Sequence, residues 1–446
     1  MSVATGLPKI LFTLSCLCLG LGSGQYAPDL ITSLPGLSTE PNFLQWSGYL
    51  QAGEGKYFHY WCGHSLRRSP RGANGLHSAT NLKMNTDGSL YRNPYSWNKV
   101  ANVLYLESPA GVGYSYSLSQ NYQTNDQQVA ADNYQALLSF FEKFPTFANH
   151  DFYVFGESYG GVYVPSLSAQ IVRGPFSINF KGFGVGNGMS NYQLNDNTLV
   201  EFGYYHGLIG DDLWATLQTY CCSKDTCNFF NNTEDNCFDA VLKAYGMIQG
   251  VGLNIYNLYS PCWGAHGYQG RYAADMSNLF RKYQFNVAAP PPGGPIPGVP
   301  ACINATAMYM WLNRNDVRQA LHIPNSLPVW ELCSPQVSSQ YQRQYLDMAP
   351  FYQELLQHDL RALVYNGDID MACNFLGGER FVEALKQPMV SPYQPWYWND
   401  QVAGFFKEYK KITFLTVKGS GHMVPQYRPA QALKMFESFL KNTSFL

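Results

Sequence analysis

The sequence predicts an α/β protein with its chemistry at the strand ends and a cap inserted part-way along the chain. Three observations predict it. The first is Gly156-Glu157-Ser158-Tyr159-Gly160, preceded by the apolar run Phe152-Tyr153-Val154-Phe155 and followed by Gly161 and a helix-compatible stretch from Val162 to Ile171. Strand, G-x-S-x-G, helix is the context of a nucleophile elbow, a turn so tight that little but glycine fits beside the serine. The second is a repeat of apolar strand followed by polar loop. It recurs at Ala362-Leu363-Val364-Tyr365 before Asp370 and at Ile412 to Val417 before His422. The third is the loss of that alternation between residues 191 and 304.

In chain order, Lys9 precedes an apolar run from Ile10 to Leu21, and the small residues Gly22-Ser23-Gly24 follow. Charge, apolar core and small-residue region in that order predict a signal segment over 1–24, too short to span a bilayer comfortably. Trp46 to Leu50 and Lys56 to Trp61 flank Gly53-Glu54-Gly55 and predict a hairpin. Cys62 to Asp87 is polar, basic and Gly-rich, and reads as irregular. Val100 to Leu106 predicts a buried parallel strand with Glu107 to Gly113 as its exit loop. Val129 to Phe144 has helical spacing, with Ala130, Tyr134, Leu137, Leu138 and Phe141 on one face. After the elbow, Phe180 to Val185 predicts a strand that leaves through Gly186-Asn187-Gly188.

The first part of the core is thus expected over 25–190, a cap over 191–304 and the rest of the core over 305–446. The cap ends in the Pro/Gly-rich run Ala289 to Pro300, which resists regular structure and is a favoured protease target. Beyond it, Asp316 to Leu321 and Met348 to His358 predict short helices, and Ala430 to Leu440 an amphipathic closing helix.

Composition narrows the class. Aromatic residues make up 15% of the 446 residues and charged residues only 13%, the reverse of a disordered chain. A formal net charge of -2 gives no reason to expect a nucleic acid or an anionic membrane as partner. Of the eleven cysteines, Cys16 and Cys18 fall in the signal segment. The others are Cys62, Cys221, Cys222, Cys227, Cys237, Cys262, Cys302, Cys333 and Cys373. The spacing of the four from Cys221 to Cys237 would also suit zinc, but an oxidising compartment favours disulfides. Sequons at Asn231, Asn304 and Asn442 predict N-glycosylation.

An elbow serine needs a base and an acid downstream. His422 can take the Ser158 proton and return it to a leaving group; an Asp would fix its tautomer. By position the acid is either Asp370 or Asp368.

Here the chain resembles the serine carboxypeptidases. The resemblance rests on Glu157 to Pro165, Glu107 to Tyr116, Asn366-Gly367-Asp368-Ile369-Asp370 with Cys373-Asn374, and Gly421-His422-Met423-Val424-Pro425. Gly160 stands where the family usually has Ala. The resemblance implies an α/β-hydrolase fold with an inserted cap, no cofactor, and release of single, preferably apolar C-terminal residues from peptide substrates at acidic pH. It makes Asp370 the acid and Glu157 a protonated donor to the substrate carboxylate, and elbow geometry makes Tyr159 N–H an oxyanion donor. It further implies the bridges Cys221–Cys237, Cys222–Cys227 and Cys262–Cys302, lysosomal glycosidases as partners, a homodimer and a lysosomal location, with secretion as the alternative that the signal segment leaves open.

One stretch departs from the family. Between the hairpin and Asn93 the family carries Trp-Leu-Asn-Gly-Gly-Pro-Gly-Cys-Ser-Ser, where this chain has Cys62 to Asn81 with Ala73-Asn74-Gly75 as a faint echo. A central strand, a second oxyanion donor, part of the carboxylate clamp and a cysteine expected to pair with Cys333 are lost together; Cys62 is the alternative partner. Losing one oxyanion donor costs on the order of 3 kcal/mol of transition-state stabilisation. Two other functions are therefore carried: a catalytically impaired protective partner of lysosomal enzymes, and an esterase or acyltransferase on the same triad.

Overall fold

The computed structural model describes residues 26–37, 43–63, 82–85, 87–224, 226–262, 300 and 302–445, together with the backbone of 13–19. The Ala73-Asn74-Gly75 echo and residues 289–299 of the Pro-rich run lie outside the described residues, as do 64–81 of the departing stretch.

Ten strands build the sheet: β1 (Thr13–Leu19), β2 (Gln45–Gln51), β3 (Lys56–Gly63), β4 (Asn102–Glu107), β5 (Asp151–Glu157), β6 (Phe180–Gly186), β7 (Arg361–Gly367), β8 (Met389–Trp398), β9 (Gln401–Tyr409) and β10 (Ile412–Val417). Their spatial order is β8-β9-β10-β7-β6-β5-β1-β4-β3-β2, with Tyr116–Ser117 pairing on β3 as an eleventh short strand. Strands β5, β6, β7 and β10 run parallel, and β10 is buried at every residue. Such strands read as unbroken apolar runs because both faces are covered.

Side chains alternate across β5 and so feed two cores. Phe152 and Val154 meet α1 (Asp126–Lys143) and α2 (Gly160–Arg173) through Leu137, Phe140, Val162 and Leu167. Tyr153 and Phe155 point the other way. They meet the helix Pro429–Lys441 through Phe436 and Phe439, and Trp97 stacks on Phe436 at 4.0 Å. Helix α1 is capped by the Asn125 side chain, which accepts from Gln128 N–H, with Asp126 in its first turn and Lys143 in its last. Both charges complement the helix dipole.

Four features go beyond the sequence reading or differ from it. The stretch where alternation is lost is helical. It forms α3 (Tyr192–Tyr205), α4 (Asp211–Cys221) and α5 (Asp235–Tyr245) around their own core of Leu199, Phe202, Leu217, Ala240 and Ile248. Its many Asn and Tyr residues hide the helical period, because Asn195 and Asp196 are buried. A helix α6 (Phe375–Ala384) and the β8–β9 hairpin were not expected; Pro392 and Pro395 in β8 mask the strand signal and are tolerated because β8 is an edge.

The third concerns the N-terminus. Thr13–Leu19, inside the run read as a signal segment, lies between β4 and β5 and pairs antiparallel with both, so the strand expected to be parallel over Val100 to Leu106 has antiparallel neighbours in β1 and β3. Strands β4 and β5 run in the same direction, and buried ladder groups on their facing edges need partners. In the departing stretch, Cys62 and Gly63 end β3 rather than beginning an irregular loop.

Candidate active site

Four parallel strands deliver the site from their C-terminal ends. Strand β5 leads into the elbow. Ser158 sits there at φ +63°, a left-handed conformation that a non-glycine residue adopts only under constraint. Its amide donates to Gly186 O at 3.0 Å, and its carbonyl accepts from Gly161 N and Met189 N, each at 2.9 Å. A Cβ on Gly161 would lie 2.5 Å from Met189 N, so glycine is what lets α2 start this close to the β6 exit.

Strand β7 delivers Asp370 and β10 delivers His422, and both are fully buried. His422 Nδ1 and Asp370 Oδ2 lie 2.7 Å apart. Asp370 also accepts from Asn187 Nδ2 at 2.8 Å, Ala372 N at 2.9 Å and Cys373 N at 3.1 Å. With the carboxylate held by donors, Nδ1 carries its proton toward Asp370, and the buried Nε2 has no hydrogen-bond partner among the described residues. Burial pulls the His422 pKa down, but the charge of Asp370 and its hydrogen bond outweigh this, Glu157 adds to them, and the net shift is upward.

Asp368 does something else. Its Oδ1 accepts Gly419 N–H at 2.6 Å, tying the two exit loops together. A Cβ on Gly367 would lie 2.2 Å from Gly421 O and 2.3 Å from Ser420 O, so these loops are in van der Waals contact at the backbone.

Glu157, half-buried beside Ser158, has its carboxyl raised to about 7. Burial is the main cause, with His422 lowering it and Asp370 raising it. The two buried thiols are poor nucleophiles: burial pushes Cys62 up to about 12, and Cys373 rises well above its usual range through burial and Asp370.

Sequence reasoning missed two contributors. Asn187, fully buried at φ +39°, donates to Asp370 and accepts from Gly367 N at 3.0 Å. The Gly186-Asn187-Gly188 turn marks it, since an Asn between glycines at a strand exit invites a left-handed residue. The other is the cap segment Ile255 to Leu258. Ile255 O accepts from Met371 N at 2.9 Å and Ala372 N at 3.1 Å, Tyr256 O from His422 N at 2.7 Å, and Leu258 N donates to Ile369 O at 3.1 Å.

The disulfides Cys221–Cys237, Cys222–Cys227 and Cys262–Cys302 are formed, so the four clustered cysteines do not make a zinc site. Cys62 remains a thiol and is not joined to Cys333. Among the described residues no group of three or more His, Cys, Asp or Glu is placed to hold a metal, and no helix is long and apolar enough to cross a membrane. Asn231, Asn304 and Asn442 are all exposed, and Asn442 Oδ1 accepts from Arg361 Nη1 at 2.9 Å.

Comparison with known proteins follows from this geometry. The family model described as serine carboxypeptidase matches residues 78–442. The chain is 44% identical to the lysosomal protective protein of Mus musculus, over 94% of this chain and 96% of that one. It is 38% identical to serine carboxypeptidase ctsa-4.1 of Caenorhabditis elegans, over 94% of each. Among solved structures it resembles the prohormone-processing carboxypeptidase Kex1Δp of Saccharomyces cerevisiae, with a TM-score of 0.69 and 17% identity, over 94% of this chain and 96% of that one. The last likeness concerns the fold.

Proposed function

Because this chain belongs to the serine carboxypeptidase family, we propose that it releases single C-terminal residues, preferably apolar, from peptides at acidic pH through an acyl-enzyme on Ser158. The observation that supports the reading is His422, with Nδ1 held by Asp370 and Nε2 without a partner among the described residues, at an exit of the same sheet as the elbow serine.

In this reading Nε2 takes the Ser158 proton as Oγ bonds to the carbonyl carbon of the last peptide bond. The carbonyl oxygen gains the negative charge and meets the Tyr159 N–H, the donor that elbow geometry supplies. His422 then gives the proton to the amine nitrogen, the C–N bond breaks, and the C-terminal residue leaves. Water, deprotonated by the same nitrogen, releases the acyl group. Glu157, protonated below about pH 7, donates to the substrate carboxylate; ionised, it would repel that carboxylate. This supports work in an acidic compartment such as the lysosome lumen, reached by the secretory route.

Release of the C-terminal amino acid from an N-blocked apolar dipeptide at pH 5 to 6, compared with Ser158→Ala, tests the reading. Wild type is expected to exceed the variant by about 10³-fold or more. Equal rates would overturn it, and cleavage of esters but not dipeptides would favour an esterase or acyltransferase.

One observation favours a second reading, a protective partner for lysosomal enzymes such as glycosidases. The family match begins at residue 78, so it leaves out the hairpin and most of Cys62 to Asn81, where an oxyanion donor was expected. A partner role needs no oxyanion hole. Amino-terminal sequencing of the mature protein decides a related point, whether 1–24 is removed as a signal or Thr13–Leu19 stays as β1.

A further inference from the structure

Asp126 is fully buried at the start of α1 and its carboxylate accepts four hydrogen bonds. Oδ1 accepts from the phenols of Tyr159 and Tyr341, each at 2.7 Å, and Oδ2 from Gln344 N at 2.5 Å and Tyr345 N at 3.0 Å. Two donors on each oxygen use the full capacity of an ionised carboxylate, which a carboxamide cannot match. Charge at a helix N-terminus is also favourable. Its four hydrogen bonds go to neither Ser158 nor His422, yet it holds the side chain of the residue that follows the nucleophile.

The peptide plane between Ser158 and Tyr159 is where that matters. It is rigid, and the Ser158 carbonyl and Tyr159 N–H point in opposite directions from it. The carbonyl end is fixed by Gly161 N–H and Met189 N–H. Two bonds to one atom leave the plane free to pivot about that atom. The Tyr159 ring supplies a further anchor, held by its phenol on Asp126 and packed edge-on against Tyr163 at 5.0 Å and Tyr341 at 5.8 Å. The Arg343 guanidinium lies 5.7 Å from the Tyr159 ring and 5.7 Å from that of Tyr192. Residues 341–345 are themselves seated on the start of α1: Tyr341–Gln342 pair with Thr124–Asn125, and Gln344 Oε1 accepts Gln127 N–H at 2.9 Å.

We propose that Asp126 is a positioning residue for catalysis: by holding the Tyr159 phenol it fixes the direction of the Tyr159 N–H, and with it the stabilisation of the oxyanion. The assignment rests on the serine-hydrolase reading of Ser158. Burial raises the pKa of both phenols, keeping them protonated donors across the physiological range.

Tyr159→Phe and Tyr341→Phe form a matched pair. Each removes one phenol from the same oxygen and keeps its ring, and only the first loosens the elbow. The rate of Ser158 labelling by a fluorophosphonate probe reads the elbow without requiring a peptide substrate. Tyr159→Phe is expected to slow labelling, and kcat on dipeptide, about tenfold with KM within about twofold. Tyr341→Phe is expected to lower the melting temperature by a similar amount with labelling within about twofold of wild type. Asp126→Asn is expected to slow labelling at least as much as Tyr159→Phe, and adding Tyr159→Phe to it should slow labelling little further. Equal slowing by the two Tyr variants, or no slowing by Tyr159→Phe, would overturn the proposal. Folded wild type that is not labelled at Ser158 overturns it together with the enzymatic reading. Labelling that shows this pattern without release of C-terminal residues supports it and overturns the carboxypeptidase reading alone.

Discussion

The sheet has two unlike halves that meet at β5. On the β6 side, four parallel strands end within two residues of one another in register, and the strand ends and exit loops are joined backbone to backbone. Ser158 N–H reaches Gly186 O, Asn187 N–H reaches Tyr365 O, and Ile369 N–H reaches Ser420 O. On the other side β1 interrupts the parallel run, and the exit of β4 is held by side chains instead. Glu107 accepts from Tyr114 N at 2.6 Å and Trp330 Nε1 at 2.7 Å, and lies 3.0 Å from His59 Nδ1. Strand order and backbone bonds between exit loops therefore set where Ser158, Asp370 and His422 lie, and the side chains of Asn187, Asp368 and Asp126 add to that hold. The facing wall depends on a polar network and on a strand borrowed from the N-terminus.

The largest expected effect breaks the ordered half. Asp370→Asn should cost about 10⁴-fold in kcat, because the carboxamide favours the wrong His422 tautomer; steady-state kinetics on a dipeptide measures it. Next is the borrowed strand. Removing residues 1–24 should leave the facing edges of β4 and β5 unpaired, so amides of Asn102–Glu107 and Asp151–Glu157 should exchange faster and the melting temperature should fall. Unchanged protection would show that another segment fills the gap.

A smaller effect is pH-dependent and belongs to Glu157. Its carboxyl is raised from an ordinary 4.5 to about 7, so the folded protein binds this proton more tightly than the unfolded chain. The stabilisation is full below about pH 4.5 and is lost as pH rises through about 7. With partial solvent screening it amounts to roughly 2 kcal/mol. Glu157→Gln should flatten melting temperature against pH across that window and remove the limb of kcat/KM near pH 7. The smallest effect is Asp368→Asn, which weakens one loop tie and keeps the triad. Its kcat should fall less than about tenfold, and a loss like that of Asp370→Asn would mean that the two aspartates are wrongly told apart.

Most of the ordered half was legible in the sequence. The strands before Ser158, Asp370 and His422 are continuous apolar runs, and their exits carry Gly and Asp in patterns that turn chemistry enforces. Position alone could not separate Asp368 from Asp370, since both lie just past the same strand and both reach the β10 exit loop; the choice depends on which one meets the imidazole and which one meets Gly419 N–H. The helix α3 was hidden because it buries Asn195 and Asp196, which breaks the apolar period. Asp126 was invisible for a different reason. Its partners Tyr159, Tyr341, Gln344 and Tyr345 lie 33 to 219 residues away, and nothing local distinguishes it from an ordinary first-turn aspartate.

The segment Ile255 to Leu258 has a consequence for control. Its four backbone hydrogen bonds go to the residues on either side of Asp370 and to His422 itself. Shifting this part of the cap would break bonds to the backbone that carries both members of the acid–base pair, so the two are expected to move together. By thermodynamic reciprocity, an occupant of the Ser158 cleft that requires the pair aligned tightens the cap. Equally, a molecule that grips the cap in one arrangement changes affinity in the cleft by the same factor, without entering it.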